Sequence, residues 1–333
     1  MTATIQANVN VPTVVIHTPL DSTAKLNYTY RNKFINGDFS VWQRGVNLAL
    51  ASPEYTADRW YATIVGAVTR QAFSAGESEL LDNDEYYLRL TPAAYGTVSL
   101  QQRIEDVRTL AGKQVTLTFW ARATGGTTLT ATATQDFGSG GSIAVVTPLG
   151  TATLLTSWSK HTITLTLPSV ASKTIGAGGD HFVAIQLEIT AAEVDLAHIQ
   201  FEQGLLATDF EKKLAGEELR LAKRYYEQMD FAEAMRVPLI GQCSSSTKCP
   251  CVLNYATKRI APISMNPNKI IIPPLVQLLD AAASSLITAW DTITVPATKD
   301  SAEVIGQTTG LITGYVAQAK AGGATAISID AEL

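Results

Sequence analysis

Four segments of this chain alternate apolar and polar side chains with a period of two, and they constrain the fold more than any other feature. They span residues 115–121, 161–167, 182–189 and 196–202. Successive side chains of a strand point to opposite faces of a sheet, so this alternation places one face inward and the other outward. Glycine-rich joins at 125–126, 138–141 and 176–179 separate the strands. Many short strands with such joins predict a mainly β chain with a jelly-roll β-sandwich over residues 33–208.

The pattern changes near residue 209, where charged residues become frequent. Thr208 offers a helix cap and is followed by acidic residues. Two apolar stripes then recur at steps of three and four residues: Leu219, Ala222, Tyr226 and Met229 form one, and Leu214, Leu221 and Tyr225 form the other. A helix that is apolar on two sides lies between two packed bodies. We therefore expect a connecting helix over residues 209–231.

The two ends of the chain read differently from the sandwich. Residues 232–333 contain strand patterns at 275–280, 289–295, 310–316 and 326–333 and a short helical pattern at 281–286, which together predict a smaller C-terminal β domain. Residues 1–32 hold one candidate strand, 11–16, without a local partner. Such a strand pairs with another subunit or a docking protein, and residues 1–32 are interpreted as an attachment segment, with a disordered tail as the open alternative.

Composition excludes several classes of partner. The net charge is -5, so the basic surface of a nucleic-acid-binding protein is absent. No apolar run reaches the roughly 18 residues of a membrane span, and neither membrane insertion nor a signal peptide is expected. Charged residues make up only 17%, which together with many threonines suits a surface assembled against copies of the same chain.

Three cysteines, Cys243, Cys249 and Cys251, lie within ten residues. An odd number argues against a disulfide framework and favours assembly in a reducing cytoplasm. A zinc site would need a fourth ligand nearby, so small buried apolar residues are the preferred interpretation.

Short strings in the first two thirds of the chain carry a family resemblance. They are NGDFSVWQRG at 36–45, YTADRW at 55–60, QRIEDV at 102–107, TFWAR at 118–122, IQFEQG at 199–204, ATDFE at 207–211 and RYYE at 224–227. Together they resemble the carbohydrate-binding type of β-sandwich found in bacteriophage virion fibre and tail proteins, over residues 32–227. The strings at 235–238, 259–262 and 329–333 resemble the small β domain that often follows.

The resemblance implies a function and a setting. The chain is expected to be a tail fibre or receptor-binding component of a virion, assembled in the bacterial cytoplasm, trimeric, docked to other tail or baseplate proteins and in contact with host surface glycan. A capsid decoration or baseplate subunit without sugar binding is the alternative, and a glycan depolymerase is a third class. No pair of acids for glycoside cleavage can be singled out, so a non-enzyme without catalytic residues is expected.

Aromatic residues are the candidate sugar platforms, because sugar rings stack on exposed aromatic faces. Tyr86, Tyr87 and Tyr95 flank a loop, and Trp60 belongs to a family string; these four are the candidate glycan-binding residues. Trp42 and Trp120 lie in strongly patterned runs and are expected in the core.

Carboxylates in the strings allow two interpretations. Asp38 and Asp58 are the candidate ligands of a structural calcium, which the resemblance permits and which needs six to eight oxygen ligands. Ion pairs inside the sandwich explain the acids as well, and this interpretation is preferred. They would join Arg44, Arg59 and Arg103 to Asp38, Asp58, Glu105 and Asp106. No other cofactor is expected.

Overall fold

Two antiparallel sheets form the main body, as the alternating segments predict. The computed structural model describes residues 30–80, 84–123, 126–191, 193–231, 236–242, 248–259, 270–271, 276–280, 289–291, 301–307, 316–321 and 325–332. Residues 32–333 form one compact unit. The attachment segment predicted at residues 1–32 lies almost entirely outside the described residues.

The first sheet, called sheet A, has six strands. In spatial order they are β1 (Asn47–Leu50), β4 (Gly66–Ala72), β5 (Tyr86–Pro92), β12 (Val194–Gln203), β7 (Gln114–Ala123) and β10 (Ser159–Thr166). The second, sheet B, also has six: β2 (Glu54–Tyr55), β3 (Tyr61–Thr63), β6 (Gly96–Glu105), β11 (Phe182–Ala191), β8 (Thr128–Asp136) and β9 (Val145–Thr153). A short helix, α1 (Ala75–Leu80), lies between β4 and β5.

The apolar sides of the two sheets share one core. Leu88 and Leu117 of sheet A and Leu100 and Val183 of sheet B are fully buried in the same cluster. Burying side chains of this size contributes about 1.5–3 kcal/mol each. The jelly-roll β-sandwich predicted from the alternation is confirmed, and all four alternating segments are strands.

Strand β12 departs from the simple alternation. Nine of its ten residues are buried, so both of its faces are covered. A bulge between Ala197 and Gln200 shifts its register against β7. On the side away from the core, Gln200 accepts a hydrogen bond from the Glu211 backbone N–H at 2.8 Å. The segment that follows β12 therefore folds back over it.

The connecting helix is shorter than predicted. Helix α2 spans Ala215–Lys223, and Tyr226–Phe231 form strand β13 instead of further helical turns. Before the helix, Thr208 donates its backbone N–H and its hydroxyl to the Glu202 carboxylate, at 3.0 and 2.9 Å. The prediction of a helix over 209–231 is wrong at both ends, because these side-chain bonds and the pairing of β13 override the helical spacing.

The remaining strands form two further sheets. A three-stranded sheet contains β13, β21 (Thr325–Asp330) and β16 (Ile270–Ile271). A six-stranded sheet contains β17 (Val276–Asp280), β20 (Val316–Ala321), β14 (Arg236–Gln242), β15 (Lys248–Asn254), β19 (Ser301–Gln307) and β18 (Ala289–Asp291).

Three of the predicted C-terminal strands are present, with other limits. β17 matches the segment predicted at 275–280, β18 begins the one at 289–295, and β21 covers most of the one at 326–333. Of the strand predicted at 310–316, only residue 316 is described, and it begins β20. The helix predicted at 281–286 lies outside the described residues. Cys251 is buried, whereas Cys243 and the side chain of Cys249 fall outside the described part.

No helix in the described ranges is long and apolar enough to cross a membrane.

Candidate functional site

The first two family strings fold against each other through Asn36. This residue adopts a φ of 60°, which Asn tolerates better than most residues. Its amide nitrogen donates to the carbonyls of Val41 and Asp58 at 2.8 and 3.1 Å, and its carbonyl accepts from the Trp60 indole N–H at 2.8 Å. Trp60 is only 1% exposed. The prediction that Trp60 is a sugar platform is therefore wrong, because its indole belongs to the core.

Asp38 and Asp58 accept hydrogen bonds within the same loop. Asp58 accepts from the backbone N–H and the side-chain amide of Gln43, at 2.7 and 2.6 Å. Asp38 accepts from the backbone N–H and the hydroxyl of Ser40. Burial raises the pKa of both carboxyls. Both carboxylates thus accept hydrogen bonds from their own loop, and within the described ranges no cluster of three or more acidic, His or Cys side chains could hold a metal ion. The calcium site stays a prediction.

The arginines of the first two strings pair with acids near residue 330. Arg59 pairs with Glu332, just after β21, and its guanidinium lies 3.4 Å from the centre of the Tyr225 ring. Burial lowers the pKa of Arg59, but the facing Glu332 carboxylate outweighs burial and raises it. Arg44 lies 3.5 Å from both Glu332 and Asp330.

Two acidic residues of the strings also form ion pairs with arginines other than those predicted. Glu105 binds Arg224 at 2.8 Å, and Asp106 binds its near neighbour Arg108 at 2.8 Å. Glu105, Asp106, Arg44 and Arg59 are thus in ion pairs, as the preferred interpretation has it, but with partners other than the predicted ones. The pairs of Glu105 with Arg224 and of Arg59 with Glu332 tie strings of the sandwich to the segments that follow it.

The outer face of sheet A, away from the core, carries an aromatic cluster: Phe73, Tyr87, Trp120 and Trp158. Phe73 and Tyr87 have ring centres 4.8 Å apart, and Trp158 lies 5.2 Å from Tyr87. Trp120 is half-buried and packs against them. The prediction that Trp120 lies in the core is wrong, since Phe119 and Ala121 on either side of it take the inward positions of β7.

A charged network adjoins this cluster. Asp195, 3% exposed, accepts two hydrogen bonds from Arg89 at 2.7 and 2.8 Å and one from Arg122 at 2.7 Å. Arg122 also donates to the Tyr87 hydroxyl at 3.0 Å and pairs with Glu77 of α1. Arg89 lies 3.3 Å from Glu193, which is 46% exposed. One carboxylate thus holds two guanidiniums side by side on the outer face.

The network lines a pocket of about 280 Å³, formed by Arg89, Arg122, Ala123, Thr156, Glu193 and Asp195. The hydrogen bonds to Asp195 raise the pKa of Arg89. Burial raises the pKa of Glu77, but hydrogen bonds from Ser74 and the Arg122 charge outweigh it and lower that pKa. Burial, assisted by Asp195, raises the pKa of the Tyr87 hydroxyl. The arginines, Glu77 and the phenol therefore keep their usual charge states around neutral pH.

The predicted tyrosines fall in three different places. Tyr87 is 4% exposed and belongs to the aromatic cluster. Its ring face is covered by neighbouring rings, so a sugar ring cannot stack on it directly. Tyr86 points to the other side of β5, where Arg70 lies 4.1 Å above its ring. Tyr95 is 69% exposed in the turn before β6. Trp42 is buried, as predicted, and donates its indole N–H to the Phe39 carbonyl.

The pocket residues and Trp158 were not singled out from the sequence. A signal for them does exist. Arg89, Arg122 and Asp195 occupy outward positions of three strands, β5, β7 and β12. Charged residues on neighbouring strands at the same level of a sheet meet as cross-strand pairs. Asp195 is registered opposite both Arg89 and Arg122.

Comparison with known proteins gives similarity in fold at low identity. No family model matches the sequence, and no curated protein matches it significantly. A CBM22 xylan-binding domain of Paenibacillus barcinonensis Xyn10C matches with 13% identity and a TM-score of 0.32, covering 51% of this chain and 94% of that one.

Two longer proteins match over the same share of this chain. The CBM22-1–GH10 modules of Clostridium thermocellum endo-1,4-beta-D-xylanase 10B match with 8% identity and a TM-score of 0.34, covering 53% of this chain and 29% of that one. The enzymatically active domain of bacteriophage CBA120 tailspike protein 4 matches with 15% identity and a TM-score of 0.31, covering 53% of this chain and 22% of that one. This chain thus spans less than a third of either.

Proposed function

We propose that the sandwich binds glycan and that the chain is a tail fibre or receptor-binding component of a phage virion, contacting host surface glycan. The observation that carries the proposal is the outer face of sheet A. There, the aromatic cluster lies beside a pocket lined by two arginines and two carboxylates.

This arrangement suits the chemistry of a sugar. The C–H face of a sugar ring stacks on an aromatic side chain, and Trp120 is one of the two half-buried members of the cluster, with Phe73. Hydroxyl groups both donate and accept hydrogen bonds, so carboxylates and guanidiniums can serve them together. The pocket is slightly smaller than the roughly 300–1,000 Å³ of drug-sized ligand sites, which suits a single sugar unit.

Binding without cleavage is the proposed outcome. Glycoside hydrolysis needs two carboxyl groups that act on one bond. In the pocket, both oxygens of Asp195 already accept hydrogen bonds from arginines, and its position is fixed by them. Glu193 would then be the single carboxylate of the pocket left to act on a glycosidic bond. The proposal is therefore a binding protein, with a depolymerase as the competing class.

The phage setting rests on the string resemblance. We place the chain in the virion as a homotrimer, with residues 1–32 docking it to tail or baseplate proteins. Single glycan sites bind weakly, and several copies on one particle raise the avidity without new contacts. A capsid decoration or baseplate subunit without a sugar site is the alternative.

The test compares variants of the full chain for binding to host cells and purified host surface polysaccharide. Trp120→Ala removes a half-buried ring of the cluster and is expected to weaken binding about tenfold, or about 1.4 kcal/mol. Val146→Ala is the matched control, because Val146 is 64% exposed on sheet B. No reducing ends should appear during incubation.

Three results would contradict the proposal. Released reducing ends favour the depolymerase. Failure of the assembled wild-type protein to bind host cells and polysaccharide favours the structural subunit. Equal binding by the Trp120 and Val146 variants, with loss in Tyr95→Ala, moves the site to the exposed turn before β6.

A further inference from the structure

We infer that the pocket selects an uncharged sugar unit, held through hydroxyl groups between Arg89 and Glu193, over an acidic sugar such as a uronate. This inference rests on the proposed glycan-binding function and adds the chemical class of the ligand.

The charges of the pocket are balanced without a ligand. Arg89 and Arg122 share the Asp195 carboxylate through three hydrogen bonds. Arg122 is also paired with Glu77, and Arg89 with Glu193. Three carboxylates therefore surround two guanidiniums. An acidic sugar would meet arginines that already have carboxylate partners and would be repelled by those carboxylates.

One contact of the network is weaker than the others. The Arg89 Nη1 to Glu193 Oε1 distance is 3.3 Å, and Glu193 is 46% exposed, whereas Asp195 is 3% exposed. The second oxygen of Glu193 lies 3.5 Å from the Thr91 hydroxyl. Exposed ion pairs of this kind contribute little to stability. The gap between Arg89 and Glu193 is therefore where a ligand group can enter at least cost.

A hydroxyl group fits between these two side chains. It accepts a hydrogen bond from the Arg89 guanidinium and donates its own proton to the Glu193 carboxylate. A carboxylate has no proton to donate and would lie against Glu193 with like charge. Hydrogen bonds to charged groups are the stronger ones, so neighbouring hydroxyls of a neutral ring use both partners.

The experiment uses the full chain and three acidic polysaccharides: polygalacturonate, alginate and hyaluronan. Each is assayed as it is and after reduction of its carboxyl groups to primary alcohols, so that only charge changes. We expect at least one reduced polymer to bind at least tenfold more tightly than its acidic parent. Raising the salt from 50 to 500 mM should leave that binding nearly unchanged, because a neutral ligand has no charge to screen.

The variant Glu193→Gln tests the named contact. The variant should bind the reduced polymer roughly tenfold more weakly, because a charged hydrogen-bond acceptor is lost. The ratio of affinities between the reduced polymer and its acidic parent should fall as well. Glu188 is an exposed carboxylate on β11 in the other sheet, and Glu188→Gln is the matched control. It should change neither the affinity for the reduced polymer nor the ratio of affinities.

The outcomes separate the two proposals. Equal or tighter binding of the acidic forms overturns the inference and leaves glycan binding standing, as does a Glu193→Gln variant with unchanged preference. Failure of the protein to bind any of the six polymers and host polysaccharide overturns both.

Discussion

Replacing Glu332 by glutamine tests whether the end of β21 stabilises the sandwich through a buried ion pair. Glu332 pairs with Arg59, and the two side chains are 2% and 1% exposed. Glutamine keeps the shape but leaves the Arg59 guanidinium buried without its ion-pair partner. Removing one partner of such a pair costs about 3–5 kcal/mol. Because a domain is stable by only about 5–15 kcal/mol, this is a large fraction of the free energy of unfolding.

The assay is urea unfolding monitored by tryptophan fluorescence. The free energy of unfolding is calculated from the midpoint and slope of the transition. Glu54→Gln, an exposed carboxylate on β2, is the control and should change stability by less than about 0.5 kcal/mol. The double variant Arg59→Met with Glu332→Leu should recover most of the loss, since no lone charge remains buried. A loss below about 1 kcal/mol for Glu332→Gln would refute the reasoning.

Three further predictions concern the packing around the strings. Tyr226→Ala should lower the free energy of unfolding by about 3 kcal/mol, because the ring is 8% exposed and lies 3.5 Å below the Arg44 guanidinium; a loss under about 0.5 kcal/mol in urea unfolding would contradict this. Gly37→Ala should cost about 2 kcal/mol or more, since an added Cβ would lie 2.3 Å from the Ile199 carbonyl oxygen; thermal unfolding equal to wild type would show that the loop adjusts. Burial raises the pKa of Glu227, but the hydrogen bond from Lys258 outweighs it and lowers that pKa, so its stabilisation is present above about pH 4.3 and lost as the pH falls further. Glu227→Gln should therefore be less stable than wild type at pH 7 and approach it near pH 3, and a constant difference between those pH values would contradict the assignment.

Local pattern was sufficient to predict the sandwich but not the segments that pack on it. The alternation in 182–189 and 115–121 reports the burial of one strand face, and both segments are strands. Tyr225 and Tyr226 satisfied a helical spacing equally well. Tyr226 instead begins β13, and this depends on the pairing of β13 with β21, about a hundred residues further along the chain, which no local period encodes.

The candidate site was only partly predictable for a similar reason. The sequence indicates Tyr87 as an aromatic residue near a loop, but its neighbours lie elsewhere in the chain, Arg122 on β7 and Trp158 just before β10. Trp60 was assigned to the surface because a family string alone does not say which face of the loop is inward. Its hydrogen bond to the Asn36 carbonyl decides this, and it depends on the folded loop.

The pairing of Arg59 with Glu332 also has a consequence for the order of folding. The two residues are 273 positions apart. Because chains fold from the N-terminus during synthesis at about 5–20 residues per second, Arg59 waits roughly 15–50 seconds for its partner. Until then the guanidinium must stay hydrated, since burying it alone is costly. The sandwich therefore reaches its full stability only after residue 332 has been made, and chains interrupted earlier are expected to be less stable and more open to proteases.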